Sequence, residues 1–544
     1  MAINKSDLER VRHLNILLGS GDSEAVKQWV LAEADDDLLG DDALDAARVA
    51  NLIPAVVYLA TLGAANLPEP NDRQTWLAAY QSLSGNREAP ALAEVSDLNP
   101  VKWITRALVG GHDVVAEGGP LRRCAGRKTP VGAWIAACEL AMDRHRFDLV
   151  EQMMDIKLSA KTSLEDWMHL SNALTRRHEY LKEVWNGAAM GRALLRIRKH
   201  LPAHPLFDDV RSLLAVYAGD YLMRGGEYAS AIAVASQSRT PADHEAKLTV
   251  IAEALCKQGD LAGCIRHLDE ILALQVESPR VEKLKALYQV REEKTEAAHD
   301  FDVAAASRSL ADLQQILDGC NQKAFLMSGT LLGYARDGGL LKHDKDIDVG
   351  IMHWQDQYNV VAALMKSGLF RVRIESIGDS EAHYIPIMHT PTHVTTDIFI
   401  GRLVGDRYVT TTPHFYGHQQ SFAFTPFTLQ RVDFLETQVY VPSDVERNLA
   451  ENFGPGWRVS DPDYQSFLES PVLIDAGGLD YQITGRLLFL RYLWEGKITK
   501  VQRILDCLKT HKDRPSGLLV EILDRLAPLV ETLAGLRAET DRAV

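Results

Sequence analysis

The 544-residue chain has no run approaching the ~18 consecutive apolar residues that a membrane-crossing helix needs. Its opening stretch, MAINKSDLERVRHLNILLGSGD, has neither the apolar segment nor the small-residue cleavage site of a secretory leader. A cytoplasmic protein with no transmembrane segment is therefore expected. Cysteine is scarce: Cys124, Cys138, Cys256, Cys264, Cys320 and Cys507 lie far apart, and no two form a CxxC pair. That spacing indicates neither a disulfide framework nor a cysteine-based zinc site. Positive charge is also short, with 59 Lys and Arg against 74 Asp and Glu and a formal net charge of -15. A broad nucleic-acid-binding surface needs a basic footprint, so nucleic acid is not an expected partner. A small basic pocket for a single nucleotide remains compatible with this balance.

What is present is an ordinary globular composition, 46% hydrophobic and 24% charged, on a chain long enough for roughly three or four folding units. Residues 1–298 read as successive helices, with apolar residues at three- and four-residue spacing and little strand-like alternation. Within them, Tyr221-Leu-Met-Arg-Gly-Gly226-Glu-Tyr228-Ala-Ser-Ala231 aligns with Ala254-Leu-Cys-Lys-Gln-Gly259-Asp-Leu261-Ala-Gly-Cys264, 33 residues later. In both copies a helix ends at glycine, and an acidic and a large apolar residue open the next. The pattern resembles a tetratricopeptide hairpin, whose repeat is ~34 residues. A helical solenoid is expected over 1–298, with the tetratricopeptide likeness confined to its end. The polar stretch 291–300 marks the expected boundary. Beyond it an amphipathic helix (Val303, Ala306, Leu310, Leu313, Leu317) precedes β-branched or alternating segments at 370–375, 393–400 and 437–441. From about 464 the chain is again helical, with helices expected around 484–508 and 517–537. The expected fold class is α+β: a helical-repeat domain (1–298), a mixed α/β domain (299–465) and a C-terminal helical extension (466–544).

The chemistry-bearing segment is Phe325-Leu-Met-Ser-Gly329-Thr330-Leu-Leu-Gly333-Tyr-Ala-Arg336, followed by Asp344-Lys345-Asp346-Ile-Asp348-Val-Gly350. It reads as strand, glycine turn, short helix, loop and strand. Gly329-Thr330 at a helix entry presents backbone N–H groups and a hydroxyl, a setting that favours phosphate. Asp346 and Asp348, two apart on a strand, project from one face. Two adjacent hard oxygen donors suit Mg²⁺, one ion or two, with Mn²⁺ as the alternative. Asp-x-Asp alone carries little: Asp35/Asp37, Asp300/Asp302 and Asp461/Asp463 show it too. We read those three as solvated turns or helix ends. Arg336, one turn beyond the glycine entry, can fork onto phosphate oxygens or sit as a surface arginine. Lys345 beside the acids neutralises either phosphate or its carboxylate neighbours. Asp344 reads as a loop cap rather than a further ligand.

These residues resemble the signature of the LicD/fukutin family. Two later blocks agree in order: Thr396-Asp397-Ile398-Phe399, and Val441-Pro442-Ser443-Asp444 with Leu449-Ala-Glu-Asn-Phe453-Gly454-Pro-Gly-Trp457. The likeness covers about 310 to 460. It implies a nucleotidyltransferase-like fold and a phosphotransferase that passes a substituted phosphate from a CDP-linked donor to a glycan hydroxyl, releasing CMP. Asp346, Asp348 and Asp397 would hold the metal, with Asp397 completing the site or serving as general base. Gly329, Thr330, Arg336 and Lys345 would contact substrate. Many members carry an unbroken acidic run before the Asp-x-Asp strand, whereas this chain has His343 and Lys345. That departure favours an alditol phosphate, ribitol phosphate first, over phosphocholine, with glycerol phosphate the further alternative. The family also implies cell-surface or capsule polysaccharide synthesis, and the repeats suggest an acceptor platform or a contact to a membrane-bound polysaccharide assembly.

Two other classes fit parts of the pattern. A nucleotidyltransferase acting on NTP shares the glycine turn and the acids, because fold does not dictate substrate. A helical-repeat adaptor with a degenerate catalytic domain fits the long helical region. His414-Phe-Tyr-Gly-His418 has zinc-compatible spacing, but its glycine and aromatics indicate a loop with structural or substrate-facing histidines. Trp457 is expected in a core.

Overall fold

The computed structural model describes residues 187–290 (apart from 202), 302–341, 344, 346–353, 356–372, 383–414, 416–511 and 517–543. The helices expected over 1–186, the polar stretch 291–300 and Lys345 lie outside the described residues. By internal packing the chain divides into two compact units, Met1–Val250 with Met365–Arg371, and Ile251–Leu364 with Val372–Val544.

In the first unit α1 (Gly187–His200), α2 (Asp208–Arg224) and α3 (Tyr228–Ala235) form a helical stack. Helices α2 and α3 meet through small residues: a Cβ at Gly219 would stand 3.0 Å from that of Ala235. The Ser212 and Ser238 hydroxyls hydrogen-bond across 2.8 Å nearby.

Helices α4 (His244–Lys257) and α5 (Leu261–Gln275) carry the second copy of the repeat. Both copies close their first helix alike. Gly226 and Gly259 have φ of +81° and +86°. The amides of Glu227 and Asp260 donate to Leu222 O and Leu255 O, each at 2.9 Å. This is the helix stop for which glycine is suited, because a side chain would be strained at that φ. Asp260 then caps α5 by accepting from the Gly263 amide at 2.8 Å.

The second unit continues through α6 (Ser278–Val290) and α7 (Val303–Gly319) into a mixed sheet. Asp302 caps α7 through the Ala305 amide at 3.0 Å, which is the helix-end role read from its sequence. The elements that follow are β1 (Ala324–Leu326), α8 (Ser328–Asp337), β2 (Asp346–Ile351), α9 (Gln357–Ser367), β3 (Phe370–Val372), β4 (His383–His389), β5 (Thr395–Val404), β6 (Arg407–Pro413), β7 (Gln419–Phe424), β8 (Leu429–Phe434) and β9 (Thr437–Pro442). The central strand order is β4-β5-β2-β1-β9-β8, with β6 and β7 continuing from β5. Strands β2 and β5 run parallel, as do β1 and β9, while β4–β5 and β1–β2 are antiparallel.

The chain then turns helical: α10 (Val445–Phe453), α11 (Ser466–Glu469), α12 (Leu479–Glu495), α13 (Ile498–Thr510) and α14 (Gly517–Ala543). The helix expected around 484–508 is two helices, because Gly496 breaks it with φ of +74°. The described fold is thus α+β, a mixed sheet followed by helices. Among the described residues no helix is long and apolar enough to cross a membrane.

The second unit's core reaches across the expected boundary at 298/299. Leu272, Leu284 and Tyr288 pack with Phe489, Leu493, Ile504 and Leu526, and the Tyr288 hydroxyl donates to Leu493 O at 3.0 Å. Asp269 of α5 and Arg486 of α12, each 1% exposed, form an ion pair at 2.6 Å. Arg486 Nη1 also donates to Gln482 O and Oε1, both at 2.8 Å. A buried guanidinium left without its carboxylate is strongly unfavourable. Asp269→Asn should therefore destabilise this unit by about 3–5 kcal/mol in urea unfolding. A loss under about 1 kcal/mol, typical of an exposed pair, would contradict that role.

Candidate active site

Strand β2 carries Asp346 and Asp348, and β5 lies parallel beside it in a register that pairs Asp348 with Asp397 and Asp346 with Thr395. Paired residues of neighbouring strands share a face, so all three aspartates stand on one side of the sheet. The intervening residues Ile347, Val349, Thr396 and Ile398 are at most 1% exposed on the other side, whereas the three aspartates are half-buried. Alternation of an apolar underside with carboxylates above therefore places the acids, as the sequence pattern required.

The glycine turn is tied to this strand. The Met327 amide donates to Asp348 O at 3.1 Å, carrying the chain from β1 into α8 beside β2. Ser328 opens the helix at φ of +45°, a strained value for a residue with a side chain. The Gly329 amide then donates to Asp348 Oδ2 at 2.9 Å. Thr330 is fully buried, and its hydroxyl oxygen accepts from the Asp348 amide at 2.8 Å. Gly329 and Thr330, expected to face a phosphate, are thus engaged with Asp348 and hold its backbone and carboxylate in place.

Asp344, read from sequence as a loop cap, faces the same point. A Cβ added to Gly329 would lie 3.2 Å from Asp344 Oδ1 and 3.3 Å from Asp348 Oδ2, so only glycine fits between them comfortably. Asp344 Oδ2 is buried with no hydrogen-bond partner. Desolvation first, then the Asp346 charge, pushes its carboxyl up to about 7, partly offset by a hydrogen bond from the Leu341 backbone and then by the nearby Arg336 guanidinium. Burial likewise drives Asp348 well above the usual carboxylate range, reinforced by Asp346, Asp397 and Asp344. Arg336 itself pairs with Asp337 at 3.0 Å. The signal for Asp344 was its two-residue spacing from Asp346. Nothing in the sequence announced the strained Ser328.

The structure therefore gathers Asp344, Asp346, Asp348 and Asp397, with Gly329 and Thr330 beneath them and Arg336 close enough to act on Asp344. Four crowded carboxylates, one oxygen of which lacks any partner, form a hard-oxygen donor set that fits a Mg²⁺-class cation. Among the described residues, however, no three His, Cys, Asp or Glu side chains are placed closely enough to hold one metal ion together.

The other flagged motifs lie elsewhere. Asp461 and Asp463 form a turn, the Asp463 amide donating to Asp461 Oδ1 at 3.1 Å. Trp457 is buried beneath Arg458, whose guanidinium sits 4.4 Å from the ring centroid. The His414 and His418 rings stack at 4.8 Å between β6 and β7. His418 Nε2 lies 2.9 Å from Thr484 Oγ1, which itself donates to Asp480 O, so the imidazole is the donor.

Burial lowers both imidazoles, His414 to about 4 and His418 to about 3, the latter helped by repulsion from His414. The unfolded chain titrates near ~6.5 and so takes up protons that the folded chain refuses. Their stabilising contribution is complete above that pH and is lost as pH falls toward about 4 and about 3, by up to about 1.4 kcal/mol per group and pH unit. His418→Gln should flatten the fall in melting temperature between pH 7 and 5. An unchanged slope would show that these histidines do not set it.

Comparison with known proteins gives several partial matches. The mouse ribitol-5-phosphate transferase FKTN is 27% identical over 138 residues, 25% of this chain and 29% of that protein. The human ribitol-5-phosphate transferase FKTN is 24% identical over 145 residues, again 29% of its length. An uncharacterized protein of Rickettsia prowazekii is 27% identical over 157 residues, 53% of its length. The chain thus spans between under a third and about half of these relatives. Residues 321–444, which contain the glycine turn and all four carboxylates, match the family described as LicD/FKTN/FKRP, nucleotidyltransferase domain.

Proposed function

We propose that this chain is a metal-dependent phosphotransferase that passes an alditol phosphate, ribitol phosphate first, from a CDP-linked donor to a glycan hydroxyl with release of CMP. The observation that carries the reading is the in-register pair Asp348–Asp397 on parallel strands, with Asp346 and Asp344 beside it. Support comes from the family match over 321–444 and from the partial similarity to the ribitol-5-phosphate transferases FKTN.

In this reaction the acceptor oxygen bonds to the distal phosphorus, the bridging P–O bond breaks, and CMP leaves with the bridging oxygen. Such transfer needs positioning and charge neutralisation more than covalent catalysis. Asp346, Asp348 and Asp397, with Asp344, would hold Mg²⁺ or Mn²⁺, one ion or two. When bound, the cation neutralises diphosphate charge and the developing charge on the leaving group. The Gly329 amide and Thr330 fix Asp348, so one ligand is oriented before any substrate arrives. Asp397, half-buried beside it, completes the ligand set or takes the proton of the acceptor hydroxyl. Arg336 lies near enough to Asp344 to act on an incoming phosphate.

CMP release should be followed by chromatography with CDP-ribitol, CDP-glycerol and CDP-choline plus candidate glycans, in Mg²⁺ and in EDTA. One donor should yield CMP only with the metal, and Asp397→Asn should lower turnover by about 10²-fold or more. Metal-independent CMP, or pyrophosphate from an NTP with none of the CDP donors consumed, would overturn the reading in favour of other chemistry.

A further inference from the structure

The face that carries the acids continues onto β4, on the side of β5 away from β2. Its register pairs Met388 with Thr395, Pro386 with Asp397 and Tyr384 with Phe399. Ile385, Ile387, Ile398 and Ile400 point the other way and are at most 2% exposed. On the acid-bearing side Tyr384, Pro386, Met388 and Phe399 are all half-buried. A partly open face of a sheet ordinarily carries polar residues. Here, beside the carboxylates, it carries an aromatic pair, a proline and a methionine.

The strip has a direction. On β2 the same face closes at Gly350, where a Cβ would collide with Met327 and Phe325. Phe399, paired with Gly350, packs against that same core. The half-open residues continue from Asp397 toward Pro386 and Tyr384 of β4. Tyr384 and Phe399 meet at 5.8 Å between ring centroids, their planes tilted by 34°. Phe399 is two residues from Asp397 on the same strand, a separation of about 7 Å. Pro386 sits directly across from Asp397 at about 5 Å. One pentose bridges such a gap between a phosphate and a planar ring.

We propose that Tyr384, flanked by Phe399 and Pro386, seats the nucleobase of the donor by stacking. The proposal rests on the reading above that the donor is a nucleotide, and it assigns the base end of that donor to β4. Stacking on an aromatic face supplies affinity for any planar base without hydrogen-bond readout.

The test uses the full chain with Mg²⁺ and compares dissociation constants for CMP and for ribose 5-phosphate, which shares the sugar and phosphate but has no base. Calorimetry should find CMP about tenfold or more tighter on the unaltered protein. Tyr384→Leu, which keeps apolar bulk but removes the ring, should bring CMP down toward ribose 5-phosphate and leave the latter unchanged. Tyr384→Phe, which keeps the ring, should behave as the unaltered protein and control for folding. Equal affinity for the two ligands on the unaltered protein would overturn the stacking site alone. So would a Tyr384→Leu variant whose CMP preference persists or whose affinities fall together. Failure of the unaltered protein to bind either ligand would overturn both the site and the nucleotide-donor reading.

Discussion

Crowding of like charge is the constraint around which this sheet is organised. Asp346, Asp348 and Asp397 share one face of two parallel strands, and Asp344 approaches from the preceding loop. Strands lie only about 4.8 Å apart, so ionised carboxylates in register repel one another strongly once desolvated. The folded chain tolerates this because Asp348 accepts the Gly329 amide and its own amide is held by Thr330. The turn between β1 and α8 is bent to the same end, with Ser328 in a strained conformation and glycine where a Cβ would press on two carboxylates. Strain and like-charge repulsion are thus concentrated at one place in the fold.

Much of this was legible in the sequence. The two-residue spacing of Asp346 and Asp348 inside an apolar strand implied that both project from one face, and both lie on β2 with the buried Ile347 between them. Asp302 and Asp461/Asp463 were separable from them because polar, turn-forming surroundings favour caps and turns. Asp344 was less accessible. Its position in a loop suggested a cap, and only the fold shows that its carboxylate faces Gly329 and leaves its Oδ2 without a hydrogen-bond partner. Gly496 shows the limit of periodicity: apolar spacing on both sides suited one long helix, while the local φ of +74° makes two.

Long-range pairing was beyond sequence reading altogether. Nothing in the neighbourhood of Asp269 or of Arg486 points to the other, more than 200 positions away, yet their buried pair joins α5 to α12. The half-open apolar strip on β4 is invisible for a related reason. Tyr384, Pro386 and Met388 gain meaning only when the antiparallel register sets them beside Asp397. Both features come from which elements become neighbours, and single-chain periodicity carries no information about that. Leu272, Leu284 and Tyr288 lie in the stretch that reads as the end of a helical repeat, yet they pack with residues of the C-terminal helices.

The gathered carboxylates are the feature to test as a cation site. The direct measurement is the melting temperature of the full chain titrated with Mg²⁺, alongside the Asp346→Asn, Asp348→Asn double variant. A cation bound by the folded state alone raises stability with concentration. The unaltered chain should melt progressively higher as Mg²⁺ is added, while the variant, relieved of internal repulsion, should start as stable or more so and not respond. A flat titration of the unaltered chain, or an equal rise in both, would contradict the claim that these acids are assembled to hold a metal ion.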